Sequence, residues 1–325
     1  MIDARGPYFE ELRVGQVFDR APAITLSSGL AAVHQSVTGD RLRLPLSEPL
    51  ARAVTGRGPL AHPALVWDVA IGQSSVVTHN VRANLFYRGL VLHRLPSIGD
   101  TLQTVTTIDA LTRNRSRDDR PATGLALLRI VTRDQDGTVV LDFHRCAMIP
   151  LADPLAASTI RRPLDTAPAD LPDDRLAASV AGWTVDGPGG DLPPAGSRIR
   201  VLGGDVVSGA PELARLTLNI ARVHHDAAAA GGRRLVFGGH TIGLALHQAT
   251  RALPDLLTVL GWHSCDHLAA VHEGDRLTSE LEIERVTPGP TGGRFVRLRS
   301  RVRADDPETG TGTEVLDWRF VALHP

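Results

Sequence analysis

The stretch GDTLQTVTTIDAL at residues 99–111 occurs again as GDRLTSELEIERV at residues 274–286, and VVLDFHRCAMIP at 139–150 occurs again as EVLDWRFVALHP at 314–325. Matching positions are 175 residues apart, so that Asp142 corresponds to Asp317. A constant spacing of this kind indicates an internal duplication. Two copies are too few for a solenoid, and they predict two similar domains side by side.

The composition of the 325-residue chain fits two ordinary globular domains of roughly 150 residues each. The formal net charge is −1, which gives no electrostatic reason to expect nucleic acid or a membrane surface as a partner. All 35 basic side chains are arginines, so a lysine nucleophile is excluded. The N-terminus lacks an apolar signal core and no apolar run is long enough to span a membrane, so we expect a cytoplasmic protein.

The duplication and a change in composition divide the chain into three parts. Residues 6–150 form the first copy and residues 191–325 form the second. Between them, residues 151–190 are rich in Pro, Ala, Asp and Gly and lack sustained periodicity, which is typical of a linker. Cys146 and Cys265 stand at different repeat positions and indicate neither a disulfide framework nor a metal motif.

Each copy shows the same predicted order of elements. A short strand pair, a helical stretch and a polar loop precede a longer apolar helix, which we place near 63–76 in copy one and 240–253 in copy two. Four strand-like runs follow each helix; in copy two they lie near 257–263, 276–287, 294–304 and 314–323. The pattern predicts an α+β fold in which an antiparallel sheet wraps around one long helix in each copy.

Polar residues that suit acid–base chemistry are concentrated in the second copy. The loop LTLNIARVHHD at 216–226 and the helix entry FGGHTIG at 237–243 carry most of them. These two segments, the opening YFEELRVGQVF at 8–18 and the duplication resemble the MaoC-like hydratase and dehydratase family, whose tandem members form a double hotdog. The resemblance covers nearly all of both copies except the linker.

The resemblance implies roles for three residues. Asn219 falls at the position of the family's acidic residue, His224 at its catalytic histidine and Gly239 at its oxyanion glycine. An imidazole titrates near neutrality and can deprotonate water. The N–H of Gly239, at a helix start, can stabilise negative charge on a thioester oxygen. Asn219 cannot release a proton, so we expect it to orient water or His224, while His224 or Asp226 handles both proton steps.

The first copy departs from this pattern. Asp40 is retained, but Leu44, Pro45 and Leu46 stand where the catalytic histidine would be needed. A site without a base cannot activate water. We therefore expect copy one to be catalytically inactive and, as the resemblance implies, to help form the acyl and CoA pocket.

Four further residues of the second copy have two interpretations each. His225 and Asp226 either belong to the site or are ordinary members of a polar loop. His240 either lines the pocket or caps the helix, and Arg222 either meets a carboxylate of a dicarboxylic acyl group or is solvated.

The segment WHSCDH at 262–267 raises the question of a metal site. His263, Cys265 and His267 alternate along a predicted strand and would share one face. No second set with metal-like spacing accompanies them, so we predict no metal and favour a histidine-rich pocket rim. Tyr87-Arg88 occupies the matching place in copy one, which indicates a structural position.

The resemblance implies a lyase that reversibly hydrates a short enoyl-CoA, with a branched dicarboxylic acyl group preferred. CoA is then part of the substrate, no separate cofactor is expected, and a homodimer is one expectation beside a monomer. Two alternatives stay open: a dehydratase that acts on a carrier-bound or specialised-metabolite intermediate, and a non-catalytic thioester-binding hotdog protein.

Overall fold

The computed structural model describes residues 5–115, 121–155, 171–186, 189–305 and 311–325. Its helices are α1 (Ser28–Thr38), α2 (Arg43–Leu46), α3 (Glu48–Thr55), α4 (Pro63–Gln73), α5 (Asp173–Ser179), α6 (Ala210–Leu216) and α7 (Gly238–Ala252). Its strands are β1 (Val17–Phe18), β2 (Ile24–Thr25), β3 (Ala83–Leu92), β4 (Thr101–Arg113), β5 (Thr123–Arg133), β6 (Val139–Pro150), β7 (Arg198–Arg200), β8 (Asp205–Val206), β9 (Thr258–His267), β10 (Arg276–Pro288), β11 (Arg294–Asp305) and β12 (Gly312–His324).

The strands form one antiparallel sheet in which the two copies meet edge to edge. The order is β1-β4-β5-β6-β3 in the first copy and β9-β12-β11-β10-β7 in the second, and β3 pairs with β9 across the junction. The duplication is visible in the register: Tyr87 pairs with Arg145 in copy one as Trp262 pairs with Phe320 in copy two. The predicted α+β fold with two wrapped helices is confirmed.

Helices α4 and α7 are the two helices that the sheet wraps. Every residue of α4 is buried, which matches its almost uniformly apolar sequence. The helix begins at Pro63, whose missing N–H is not needed in a first turn, and its N-cap is His62. It ends at Gln73, and a 3-10 turn continues to Val76. Helix α7 begins two residues before the predicted start, at Gly238.

In each copy, the end of the helix before the polar loop packs against the long helix of the other copy. A Cβ at Gly72 in α4 would lie 1.8 Å from the carbonyl oxygen of Thr217. A Cβ at Gly243 in α7 would lie 2.9 Å from Cγ2 of Thr38. Both glycines therefore permit a close approach between the halves. Residues of both copies reach the space between the helices as a result.

The segment between the copies is partly structured. Of residues 151–190, residues 156–170 and 187–188 lie outside the described part of the chain. Helix α5 lies in the described remainder, and Leu171, Leu176 and Trp183 are buried. Arg297 of β11 donates to Asp173 and to the carbonyl of Leu171, so this part packs on the second copy. Among the described residues, no helix has both the length and the apolarity that crossing a membrane requires.

Candidate active site

His224 ends a short 3-10 helix in the loop between α6 and α7, and its side chain is buried. Its Nδ1 lies 2.9 Å from the carbonyl oxygen of Leu235, an acceptor, so Nδ1 carries the proton of the neutral ring. Nε2 is then left as the proton acceptor.

The protonation state of His224 follows from its surroundings. Burial lowers the pKa of His224 to about 4, against the effect of the hydrogen bond to Leu235, and the charge of Arg145 lowers it further. The imidazole is therefore neutral near pH 7. A buried neutral histidine with one fixed tautomer can accept a proton from a bound water molecule.

His224 opens into a cavity of about 190 Å³ between the copies. The first copy contributes residues from β3 and β6, and the second copy contributes the start of α7 and the end of β9. The polar or hydrogen-bonding members of this lining are Arg82, Asn84, Tyr87, Arg145, His224, Gly238, Thr241 and His267. The site is thus composite, and His267 of the WHSCDH segment lies on its wall.

The two glycines at the start of α7 face different neighbours. Gly238 lines the cavity, and a Cβ there would lie 2.8 Å from Nε2 of His267. Gly239 faces α4, where a Cβ would lie 2.0 Å from Oδ1 of Asp68. Both N–H groups belong to the first turn of the helix, whose donors have no acceptor within the helix. Gly238 therefore joins Gly239 as a candidate oxyanion donor.

Asn219 is buried beside α4 and is not part of the cavity wall. Its Oδ1 accepts a hydrogen bond from the N–H of Ala221 at 3.0 Å. Its backbone carbonyl accepts one from Nε2 of His225 at 2.6 Å. Among the described residues no hydrogen bond joins Asn219 to His224. Asn219 and His225 brace the loop that carries His224.

The other candidates of the loop lie away from the cavity. Asp226 is exposed and accepts a hydrogen bond from the N–H of Ala228. Arg222 is exposed and lines a neighbouring groove with His79 and Arg82. His240 is fully buried with neither ring nitrogen hydrogen-bonded, and burial lowers its pKa to about 4.

Tyr87 and Arg145 are cavity residues that sequence reasoning did not select. The sequence favours a structural role for Tyr87, whereas Tyr87 lines the cavity. Arg145 sits in strand β6 at a buried position where the second copy has Phe320. The sequence did carry a signal for Arg145, namely a charged residue at a buried position of a duplicated strand.

The first copy holds a buried cluster around Asp40. Nδ1 of His34 lies 2.6 Å from Asp40, its Nε2 lies 3.2 Å from Asp68, and Nδ1 of His62 lies 3.5 Å from Asp40. Burial would lower the pKa of His34, but the charges of Asp40 and Asp68 and their hydrogen bonds to the ring together outweigh burial and raise that pKa to about 10. Burial lowers the pKa of His62 to about 4 and raises that of Asp68. His34 and Asp40 therefore form a charged pair.

This cluster also bears on metal binding. Among the described residues, His34, Asp40 and His62 have ligand atoms within 4.8 Å of one another, whereas His263, Cys265 and His267 form no such group. Both ring nitrogens of His34 already face carboxylates, and Nδ1 of His62 accepts from the N–H of Ala64. The cluster therefore satisfies most of its own polar groups without an ion.

The comparisons with known proteins agree with this architecture. No family model matches the chain. A Mycobacterium tuberculosis protein, Rv0216, described as a conserved hypothetical protein with a double hotdog fold, is 52% identical with a TM-score of 0.89, covering 98% of this chain and 99% of that one. A putative MaoC domain protein dehydratase from Chloroflexus aurantiacus is 27% identical with a TM-score of 0.85, covering 98% and 97%. The β-methylmalyl-CoA dehydratase of the same organism is 29% identical, covering 93% and 89%.

Proposed function

Because the chain belongs to the MaoC-like double-hotdog family, we propose that it is a hydro-lyase that reversibly adds water to a short enoyl-CoA thioester. One observation carries the proposal: a neutral, oriented histidine and the start of a buried helix open into the same cavity. The dehydratase among the relatives suggests β-methylmalyl-CoA and its dehydration product mesaconyl-CoA as the substrate pair. CoA is then part of the substrate.

His224 acts on the water. Its Nε2 accepts a proton as the water oxygen bonds to Cβ, and the π electrons move to an enolate on the thioester. The imidazolium then returns a proton to Cα. Because burial lowers the pKa of His224 to about 4, the protonated ring is a stronger acid than an ordinary imidazolium and gives the proton up readily. Asp226 is exposed outside the cavity, so this assignment gives both proton steps to His224.

The start of α7 stabilises the enolate. The N–H groups of Gly238 and Gly239 are preorganised donors at the positive end of the helix dipole. One donor of this kind is worth about 3–4 kcal/mol in the transition state. Burial raises the pKa of Tyr87, so its phenol stays protonated and can donate a further hydrogen bond into the cavity.

The CoA phosphates belong in the groove beside the cavity. Arg82 lines both spaces, and Arg222 and His79 line the groove. Arginine binds phosphate through paired N–H donors, and these side chains are close enough to the cavity to hold CoA while its acyl group enters. In this placement Arg222 binds a phosphate of CoA and not a carboxylate of the acyl group.

The test follows the absorbance of the conjugated thioester with a panel of crotonyl-, mesaconyl- and longer enoyl-CoAs. The wild type should consume the conjugated ester and His224→Asn should not. His93→Asn is the matched control, because His93 lies outside the cavity and pairs with Asp142. Equal activity of wild type and His224→Asn would refute the assigned base.

Two other outcomes would redirect the proposal. Turnover only of the same acyl group on a carrier protein would indicate a carrier-dependent dehydratase. Binding of acyl-CoA without exchange of solvent hydrogen at Cα, by a folded protein, would indicate a thioester-binding protein without activity.

A further inference from the structure

Arg145 is a buried cation without an acidic partner. It lies on β6, is 3% exposed and lines the cavity that His224 enters. Its Nε donates to Oδ1 of Asn84 at 2.7 Å, and one terminal nitrogen donates to Oγ of Ser74 at 2.8 Å. Both acceptors are neutral. Among the described residues, no carboxylate lies within ion-pair distance of this guanidinium.

Other buried arginines of the protein have acidic partners. Arg88 pairs with Asp266 at 2.6 Å, and Arg297 pairs with Asp173 at 2.7 Å. A buried charge is costly unless an opposite charge compensates it. Burial lowers the pKa of Arg145, but an arginine stays protonated in a protein. A permanent positive charge is therefore held in the cavity without a permanent counter-ion.

The fold itself does not need a cation at this position. The matching residue of the second copy is Phe320, which is fully buried and stacks on Trp318 at 3.8 Å between ring centroids. Phe320 pairs with Trp262 in the same way that Arg145 pairs with Tyr87. An apolar aromatic residue thus occupies the equivalent position of the same sheet.

We infer that Arg145 binds the free carboxylate of a dicarboxylic acyl group and so selects for thioesters that carry one. Asn84 and Ser74 hold the guanidinium by two of its nitrogens, and Arg145 lines the cavity, so its second terminal nitrogen can donate to a ligand there. Arginine and carboxylate form short charge-assisted hydrogen bonds. The inference rests on the proposed function and deepens it.

The position of Arg145 relative to His224 fits this class of substrate. The charge of Arg145 acts on both His224 and His267 on the cavity wall. In a mesaconyl thioester the free carboxylate is attached to Cβ, the carbon that receives water. The group that holds this carboxylate must therefore lie near the base that activates the water.

The test compares kcat/KM for two enoyl thioesters, mesaconyl-CoA with the second carboxylate and crotonyl-CoA without it. Wild type should prefer mesaconyl-CoA, and Arg145→Gln should reduce the ratio of the two values by roughly 10- to 100-fold, the discrimination expected when a charged hydrogen-bond partner is lost. The loss should fall on mesaconyl-CoA, mainly through KM. Arg297→Gln removes a buried guanidinium from an acid-paired site and should leave the ratio unchanged.

A binding measurement covers the case in which Arg145→Gln does not fold. Calorimetry with wild type compares succinyl-CoA and butyryl-CoA, which cannot be hydrated, and the dicarboxylic ester should bind more tightly. Arg145→Lys keeps the charge and should retain part of the preference. Equal affinity for the two esters, or equal loss on both substrates in Arg145→Gln, would overturn the inference. Turnover of neither enoyl ester by wild type would instead refute the proposed function.

Discussion

The two halves of the molecule share one fold, but His224 of the second half and His34 of the first half are buried in opposite protonation states. In the second half, His224 is neutral and presents an unused ring nitrogen to a cavity. In the first half, His34 is charged and both of its ring nitrogens are held by Asp40 and Asp68. A buried polar cluster whose members hydrogen-bond one another stabilises the fold. A buried polar group without a protein partner is instead available to bind a ligand.

The same contrast appears in the sheet. The pair Tyr87 and Arg145 of the first copy lines the cavity, while the equivalent pair Trp262 and Phe320 of the second copy is buried among aromatic rings. The first half thus supplies polar walls to the cavity that His224 of the second half lines. In the proposed function, the base comes from one copy and part of the substrate pocket from the other.

The largest expected effect comes from the loop position that differs between the copies. His224→Ala should lower kcat by about 10²- to 10⁴-fold, because a general base contributes that much to a proton transfer. Pro45→Ala, at the equivalent position of copy one, should leave kcat unchanged. Steady-state hydration assays measure both. Comparable losses in the two variants would mean that both halves take part in catalysis.

Among these substitutions, the loss of the His34–Asp40 charged pair of the first half should reduce the free energy of unfolding the most. Asp40→Asn leaves His34 charged and buried without its main partner, and we expect a loss of about 3–5 kcal/mol in the free energy of unfolding. Urea denaturation measures the difference. Asp226→Asn is the matched exchange in the second half, and it should cost much less because Asp226 is exposed and an asparagine can still accept the hydrogen bond from Ala228. Equal costs would show that the cluster has no special role.

Substitutions of the two glycines at the start of α7 should affect stability and activity to different extents. Gly239→Ala places a methyl group against Asp68 in the core and should lower stability by about 1–3 kcal/mol. Gly238→Ala places it against the His267 side chain at the cavity and should lower kcat/KM more than stability. Thermal unfolding and kinetics are compared in both variants. A Gly238→Ala enzyme with full activity would remove this glycine from the site.

The pH dependence of stability offers the most specific test of the charged pair. The pKa of His34 is raised to about 10, so its contribution is complete below its unfolded pKa and is lost as the pH rises toward 10. One retained proton gives a loss of about 1.4 kcal/mol per pH unit above neutrality. Buried Cys146 and Cys265 have raised pKa values and act in the same direction, so His34→Gln provides the reference. An identical slope in wild type and His34→Gln would contradict a charged His34.

The contribution of His224 to stability should depend on pH with the opposite sign to that of His34. The pKa of His224 is lowered to about 4, so its contribution to stability is present above its unfolded pKa and is lost as the pH falls toward 4. The activity should accordingly persist below the ordinary pKa of histidine, because Nε2 of His224 remains unprotonated there. The profile of kcat/KM against pH measures this directly. An acid limb near the ordinary histidine pKa would mean that water reaches His224 freely.

The framework of the fold follows from local patterns in the sequence. The constant spacing of the two copies predicted the double fold, and the apolar helices and four-strand runs were located to within a few residues. The resemblance of LTLNIARVHHD and FGGHTIG drew attention to His224 and Gly239, which do lie at or beside one cavity. These features are local: a helix period, a strand alternation or a short motif is complete within a few consecutive residues.

Which side chains meet depends on how distant elements pack. Tyr87, Arg145 and His267 come from three strands and line the same cavity as His224, because strand register determines which side chains share a face. His34 of α1, Asp40 just after that helix and Asp68 of α4 are brought together by the fold, which the sequence of copy one does not reveal. Whether a buried histidine is charged or neutral depends on these distant partners, since burial favours the neutral ring and a nearby carboxylate favours the charged one.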